Sequence, residues 1–73
     1  MNMSQQEMTA FFAVARLIHL GGLIGTKQVE DLLELYTRPQ LLLAVQIMES
    51  QEGNSLRVKE RIEILKKLIW EMI

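Results

Sequence analysis

The chain has 73 residues, 49% of them hydrophobic, and a formal net charge of −1. This length fits a single domain, residues 1–73, and the near-neutral charge gives no general attraction to nucleic acid. Because cysteine is absent, disulfides, cysteine-ligated zinc and iron–sulfur sites, and thiol catalysis are excluded.

The first predicted helix covers about residues 5–20. Ser4 and Glu7 have the spacing of a capping box, and Gly21 is the glycine expected just beyond the last turn. The helix is apolar nearly all round, and Phe12 interrupts its narrow polar strip. The strip consists of Gln5, Thr9, Arg16 and His19. Such a helix is typical of the centre of a fold or of an oligomer interface.

The second predicted helix covers about residues 27–36 and follows a glycine-rich loop. No strand precedes these glycines, so they do not form a phosphate-binding loop. Thr26 is expected to cap the helix. Its apolar residues recur at the spacing of one helical face. They are Val29, Leu32, Leu33 and Tyr36.

The third predicted helix covers about residues 39–51. Pro39 suits the first turn of a new helix, and it disfavours helical geometry at Arg38, the residue before it. A single helix over residues 27–51, kinked at Pro39, is the alternative. A turn over residues 52–55 then leads to the last helix.

The fourth predicted helix covers about residues 55–72, and from Leu56 onward every residue is apolar or charged. Apolar residues spaced 4, 3, 4 and 3 apart form a two-heptad seam. They are Val58, Ile62, Leu65, Ile69 and Met72. The seam packs on the chain's own core or is shared with another chain. We favour the chain's own core, because an independent coiled coil needs about three to four heptads.

Ile64 and Trp70 lie off the two flanks of this stripe. Tryptophan is favoured at interfaces, so we predict that both residues contact a partner chain. The alternative for Trp70 is that it folds over the open end of the bundle. Three further apolar residues complete the predicted partner surface. They are Phe12, Leu68 and Ile73.

Nucleic-acid binding is the alternative function. A recognition helix presents polar and basic side chains to base edges, whereas the third helix is apolar after Gln40. Glu63 and Lys67 are an expected i, i+4 ion pair on the fourth helix. The basic residues of this helix lie among acidic ones, and this mixture predicts a solvated face. They are Arg57, Lys59, Arg61, Lys66 and Lys67. The alternative is therefore a dimeric transcriptional regulator that binds through the basic side of this helix.

No residue is predicted to be catalytic, cofactor-binding or metal-ligating. His19 is the only histidine, and no further ligands or oriented base partner accompany it. We therefore expect neither an enzyme nor a small-molecule substrate. A bilayer span needs about 20 apolar residues, and the N-terminus lacks the basic start of a signal peptide. These patterns predict a cytoplasmic protein without a membrane span.

The predicted fold is all-α, a small bundle or orthogonal array of three to four short helices, with most of the core from the first and last. A mean hydropathy of +0.14 in so short a chain predicts exposed apolar surface. We expect oligomerisation, as a homodimer or with a protein partner; a compact monomer is the alternative. The predicted function is a protein–protein interaction module: an adaptor, chaperone-like or regulatory subunit. In size and Cys-free, Met- and Leu-rich composition, the chain is similar to small helical secretion chaperones and regulators of bacteria and phages.

Overall fold

The computed structural model describes residues 3–72, which form four helices and no strand. They are α1 Gln5–His19, α2 Thr26–Leu35, α3 Arg38–Ser50 and α4 Leu56–Glu71. The all-α fold class is confirmed, and each predicted helix end lies within one residue of the observed end. Tyr36 and Thr37 both have extended backbone, so the single kinked helix over residues 27–51 is wrong.

The predicted capping box starts α1. The Ser4 backbone N–H donates to Glu7 Oε1 at 2.8 Å, and the Glu7 N–H donates to Ser4 Oγ at 3.1 Å. The hydrogen bond from the Ser4 backbone, followed by that with its hydroxyl, lowers the pKa of Glu7 from its ordinary value of 4.5. At the other end Gly21 has φ +83°, the left-handed conformation expected there.

α2 is capped differently from the prediction. Thr26 is the first helical residue, and Gly25 precedes it as the N-cap. Gly25 has no side chain to accept a hydrogen bond, but its N–H donates to Gln28 Oε1 at 2.9 Å. Gln28 therefore supplies one half of a capping box, the bond from its side chain back to the N-cap backbone. As a result α2 begins at Thr26, one residue earlier than it would if Thr26 were the N-cap.

α3 begins at Arg38, where helical geometry was not expected. Thr37 and Gln40 form a reciprocal capping box: the Thr37 N–H donates to Gln40 Oε1 at 3.0 Å, and the Gln40 N–H donates to Thr37 Oγ1 at 3.3 Å. Pro39 is then the second residue of the helix, where a missing N–H loses no helical hydrogen bond. The capping box outweighs the restriction that Pro39 places on Arg38.

The two threonines give a matched test of these helix starts. Thr37→Ala is expected to lower the free energy of unfolding by about 1 kcal/mol, because a capping hydroxyl is lost. Thr26→Ala, inside the first turn of α2, is expected to change it by less than about 0.5 kcal/mol. Urea unfolding followed by circular dichroism measures both. Equal losses in the two variants would contradict the observed caps.

The core lies around α3, which packs against both α1 and α4, while α2 packs mainly against α4. α3 and α4 each bury four residues, α1 three and α2 two. The buried residues are Ala10, Val14, Ile18, Val29, Leu32, Leu41, Ala44, Val45, Met48, Val58, Ile62, Leu65 and Ile69. Seven of these thirteen residues lie on α1 and α4, in line with the prediction that the first and last helices supply most of the core. The majority is narrow, because α3 buries as many residues as α4 and α1 exposes Met8 and Phe12 to solvent.

The apolar stripe of α4 faces this core. Its first four members, Val58, Ile62, Leu65 and Ile69, are buried, and Met72 is half-buried. The stripe therefore packs on the protein's own core, and the exposed side chains of α4 are those that lie outside it.

Candidate functional site

Ile64 and Trp70 lie together on the outward side of α4. They are 48% and 57% exposed, and both line one shallow depression. We call this surface the α4 face; it is lined by Glu63, Ile64, Lys66, Lys67, Trp70 and Glu71. The sequence placed the two apolar residues off opposite flanks of the stripe, and the structure brings them to a single surface around Lys67.

Trp70 is held in place by the first residue of α3. The Arg38 guanidinium carbon lies 5.4 Å from the centroid of the indole, within the range of a cation–π contact. Arg38 Nη2 also donates to the Trp70 carbonyl at 3.0 Å, and Nε donates to the Ile69 carbonyl at 3.4 Å. Arg38 thereby satisfies carbonyls at the C-terminal end of α4, and the indole stays more than half exposed.

The other predicted partner residues do not join this surface. Leu68 is half-buried and packs against the core. Phe12 is 65% exposed on α1, where its ring contacts Phe11 edge to face at 5.9 Å between centroids. Ile73 lies outside the described residues. The structure thus groups two of the five predicted residues, Ile64 and Trp70, and leaves Phe12 on a separate surface.

A second apolar surface, which the sequence did not predict, lies between α1 and α2. We call it the α1–α2 groove; it is lined by Ala13, Arg16, Leu17, Leu20, Gly21, Gln28, Asp31, Leu32 and Leu35. Leu20 and Leu35 are 76% and 68% exposed. The groove stays open because α1 packs mainly on α3 and α2 mainly on α4. The position of Leu35 off the apolar face of its helix is a signal that could have pointed to this surface.

Two of the five basic residues of α4, Arg61 and Lys66, bond to other elements of the fold. Arg61 donates three hydrogen bonds to α1 and the loop after it: Nη2 to the Leu17 carbonyl at 2.7 Å, Nε to the Ile18 carbonyl at 2.9 Å and Nη1 to the Gly22 carbonyl at 2.9 Å. These carbonyls have no helical donor of their own. Arg61 was expected on a solvated face, and it closes the C-terminal end of α1 instead.

The two lysines in the second half of α4 also have acidic neighbours. Lys66 Nζ lies 2.7 Å from Glu49 Oε2 on α3, and this hydrogen bond raises the pKa of Lys66. The expected pair of Glu63 with Lys67 is replaced: Glu63 lies 4.0 Å from Lys66, and Lys67 lies 4.0 Å from Glu71. A tertiary partner on α3 therefore sets the position of Lys66 and rearranges the pairs along α4.

Within residues 3–72, no group of three or more acidic or histidine side chains could hold a metal ion. Over the same range, none of the helices is long and apolar enough to cross a membrane. His19 is exposed at the end of α1. Comparison of the chain with protein-family models, curated proteins and solved structures finds no match.

Proposed function

We propose that the protein is a small protein–protein interaction module, an adaptor, chaperone-like or regulatory subunit that acts through exposed apolar helical surface. The observation that carries this proposal is the exposure, within residues 3–72, of eight large apolar side chains, from 45% to 76%, beside a filled core. Contiguous apolar surface on a soluble protein usually marks a partner site. We place the protein in the cytoplasm, since a chain without cysteine needs no oxidising compartment.

The first partner that we propose is a second copy of the chain, bound through the α4 face. A two-fold dimer needs a surface that is complementary to itself. The α4 face has this character, because bases and acids surround Ile64 and Trp70 together. In an antiparallel pair of α4 helices, the acidic residues of one copy can meet the basic residues of the other. The two apolar side chains would then be removed from water.

Ile64→Glu is expected to convert the dimer into a monomer, because it places a carboxylate in an apolar contact. Light scattering over about a hundredfold range of concentration measures the mass. Trp70, the only tryptophan, should emit at longer wavelength as the dimer dissociates. Leu23→Glu is the control, since Leu23 is also an exposed apolar residue, at 76% against 48% for Ile64, but lies in the loop after α1. A wild-type monomer at every concentration, or a Trp70 emission that stays unchanged through dissociation, would contradict the dimer.

The nucleic-acid alternative has less support. Arg61 and Lys66, two of the five basic residues on which it depends, are bonded to α1 and α3. The alternative predicts binding that weakens steeply as salt is raised. If neither duplex DNA nor RNA binds at low salt, the nucleic-acid alternative is wrong. If binding is salt-sensitive and Lys59→Glu abolishes it, the nucleic-acid function would replace the interaction module as the proposed function.

A further inference from the structure

The α1–α2 groove is long enough for a helix. Leu35 lines it and also lines an adjoining depression formed with Gln5, Gln6, Thr9 and Tyr36. The two depressions adjoin at Leu35, and the α1 residues that line them recur at helical spacing from Gln5 to Gly21. At 1.5 Å per residue this length is about 24 Å, which corresponds to a partner helix of about 16 residues. Small and apolar side chains form its middle, as in grooves that accept amphipathic helices.

The two ends of the groove differ in charge. At the Gly21 end, Arg16 lines the groove, and the Arg57 guanidinium packs so close that a Cβ added to Gly21 would lie 2.8 Å from it. Neither arginine takes part in an ion pair within residues 3–72. Asp31 at this end is already paired with Lys27 at 3.3 Å. The Gly21 end is therefore basic, whereas the residues lining the opposite end are neutral.

We propose that the α1–α2 groove binds one amphipathic helix of a partner protein, with the acidic end of that helix beside Arg16 and Arg57. This inference rests on the proposed function and names the site and the chemistry of its partner. Apolar side chains at helical spacing contact Leu17, Leu20 and Leu35, which supply the affinity through burial. The charge of the Gly21 end fixes the orientation of the bound helix.

The experiment uses two synthetic peptides of about 16 residues, with leucines at one helical face. One carries glutamates in its first turn, and the other carries lysines at the same positions. Fluorescence anisotropy of the labelled peptides is measured with the full chain. The acidic peptide should bind with a dissociation constant at least about tenfold lower than the basic one. Arg16→Glu should remove this preference, and Leu35→Ser should weaken binding of the acidic peptide by about tenfold or more.

Leu56→Ser is the matched control, because Leu56 is about as exposed as Leu35 but lies on α4 and does not line the groove. Its binding should equal that of the wild type, and circular dichroism should show all variants to be helical. Equal binding of both peptides, or binding unaffected by Leu35→Ser, would overturn the proposal. Absence of peptide binding by a protein that still dimerises through α4 would overturn the groove and leave the proposed function standing. If the acidic peptide dissociates the dimer of the wild type and of Leu35→Ser alike, it binds the α4 face, and this outcome would also overturn the groove as its site.

Discussion

Leu41→Ala is expected to lower the free energy of unfolding by about 2–5 kcal/mol, the range for truncation of a fully buried leucine. Leu41 is 0% exposed and lies on α3, the helix that packs against both α1 and α4. The loss combines the transfer free energy of the removed atoms with that of the cavity left behind. For a domain of this size each kcal/mol lowers Tm by about 4–8 °C.

Urea unfolding, followed by circular dichroism, measures the effect of Leu41→Ala. Leu56→Ala, at an exposed position on α4, is the control and should change the free energy of unfolding by less than about 0.5 kcal/mol. A similar substitution in α1, Val14→Ala, removes fewer atoms and should have a smaller effect. If Val14→Ala were the more damaging change, α1 rather than α3 would be the centre of the fold.

Arg61→Ala is expected to lower the free energy of unfolding by about 2–3 kcal/mol. The substitution removes three hydrogen bonds to backbone carbonyls, and a hydrogen bond to a charged group contributes about 1.5–3 kcal/mol. The total stays below the sum of the three, because water can reach the Gly22 carbonyl once the guanidinium is gone.

Arg61→Lys separates charge from geometry. A lysine keeps the positive charge near the end of α1, but it cannot present the planar fork that reaches three carbonyls. We expect it to recover less than half of the lost stability. Lys59→Ala is the control, because Lys59 is an exposed basic residue of the same helix. Equal unfolding midpoints for Arg61→Ala and Lys59→Ala would show that the three hydrogen bonds contribute nothing.

The helices could be predicted to within one residue because their ends depend on neighbours in sequence. The capping box of Ser4 and Glu7, the turn at Gly21 and the break before Pro39 all act over three or four residues. The shift at Thr26 is of the same local kind. The Gln28 side chain accepts the Gly25 N–H from inside the helix. A glycine followed by a glutamine three residues later is a less conspicuous signal of a helix start than a threonine.

The surfaces could be predicted only in part, because they depend on which helices pack together. Ile64 and Trp70 were predicted from their positions off the stripe of a single helix. The α1–α2 groove exists because two consecutive helices pack on different neighbours, and helical periodicity carries no such information. For the same reason the charge pattern of α4 did not reveal the role of Arg61, whose acceptors lie 39 to 44 residues earlier in the chain.

These long-range acceptors make the four helices one cooperative folding unit. Two carbonyls in the last turn of α1, those of Leu17 and Ile18, have no donor until α4 supplies Arg61, so a fragment ending before α4 would leave that turn frayed. Arg38 ties the end of α4 to the start of α3 in the same way. Unfolding is therefore expected to be two-state. In hydrogen exchange, the backbone amides at the end of α1 should then exchange no faster than those of α4.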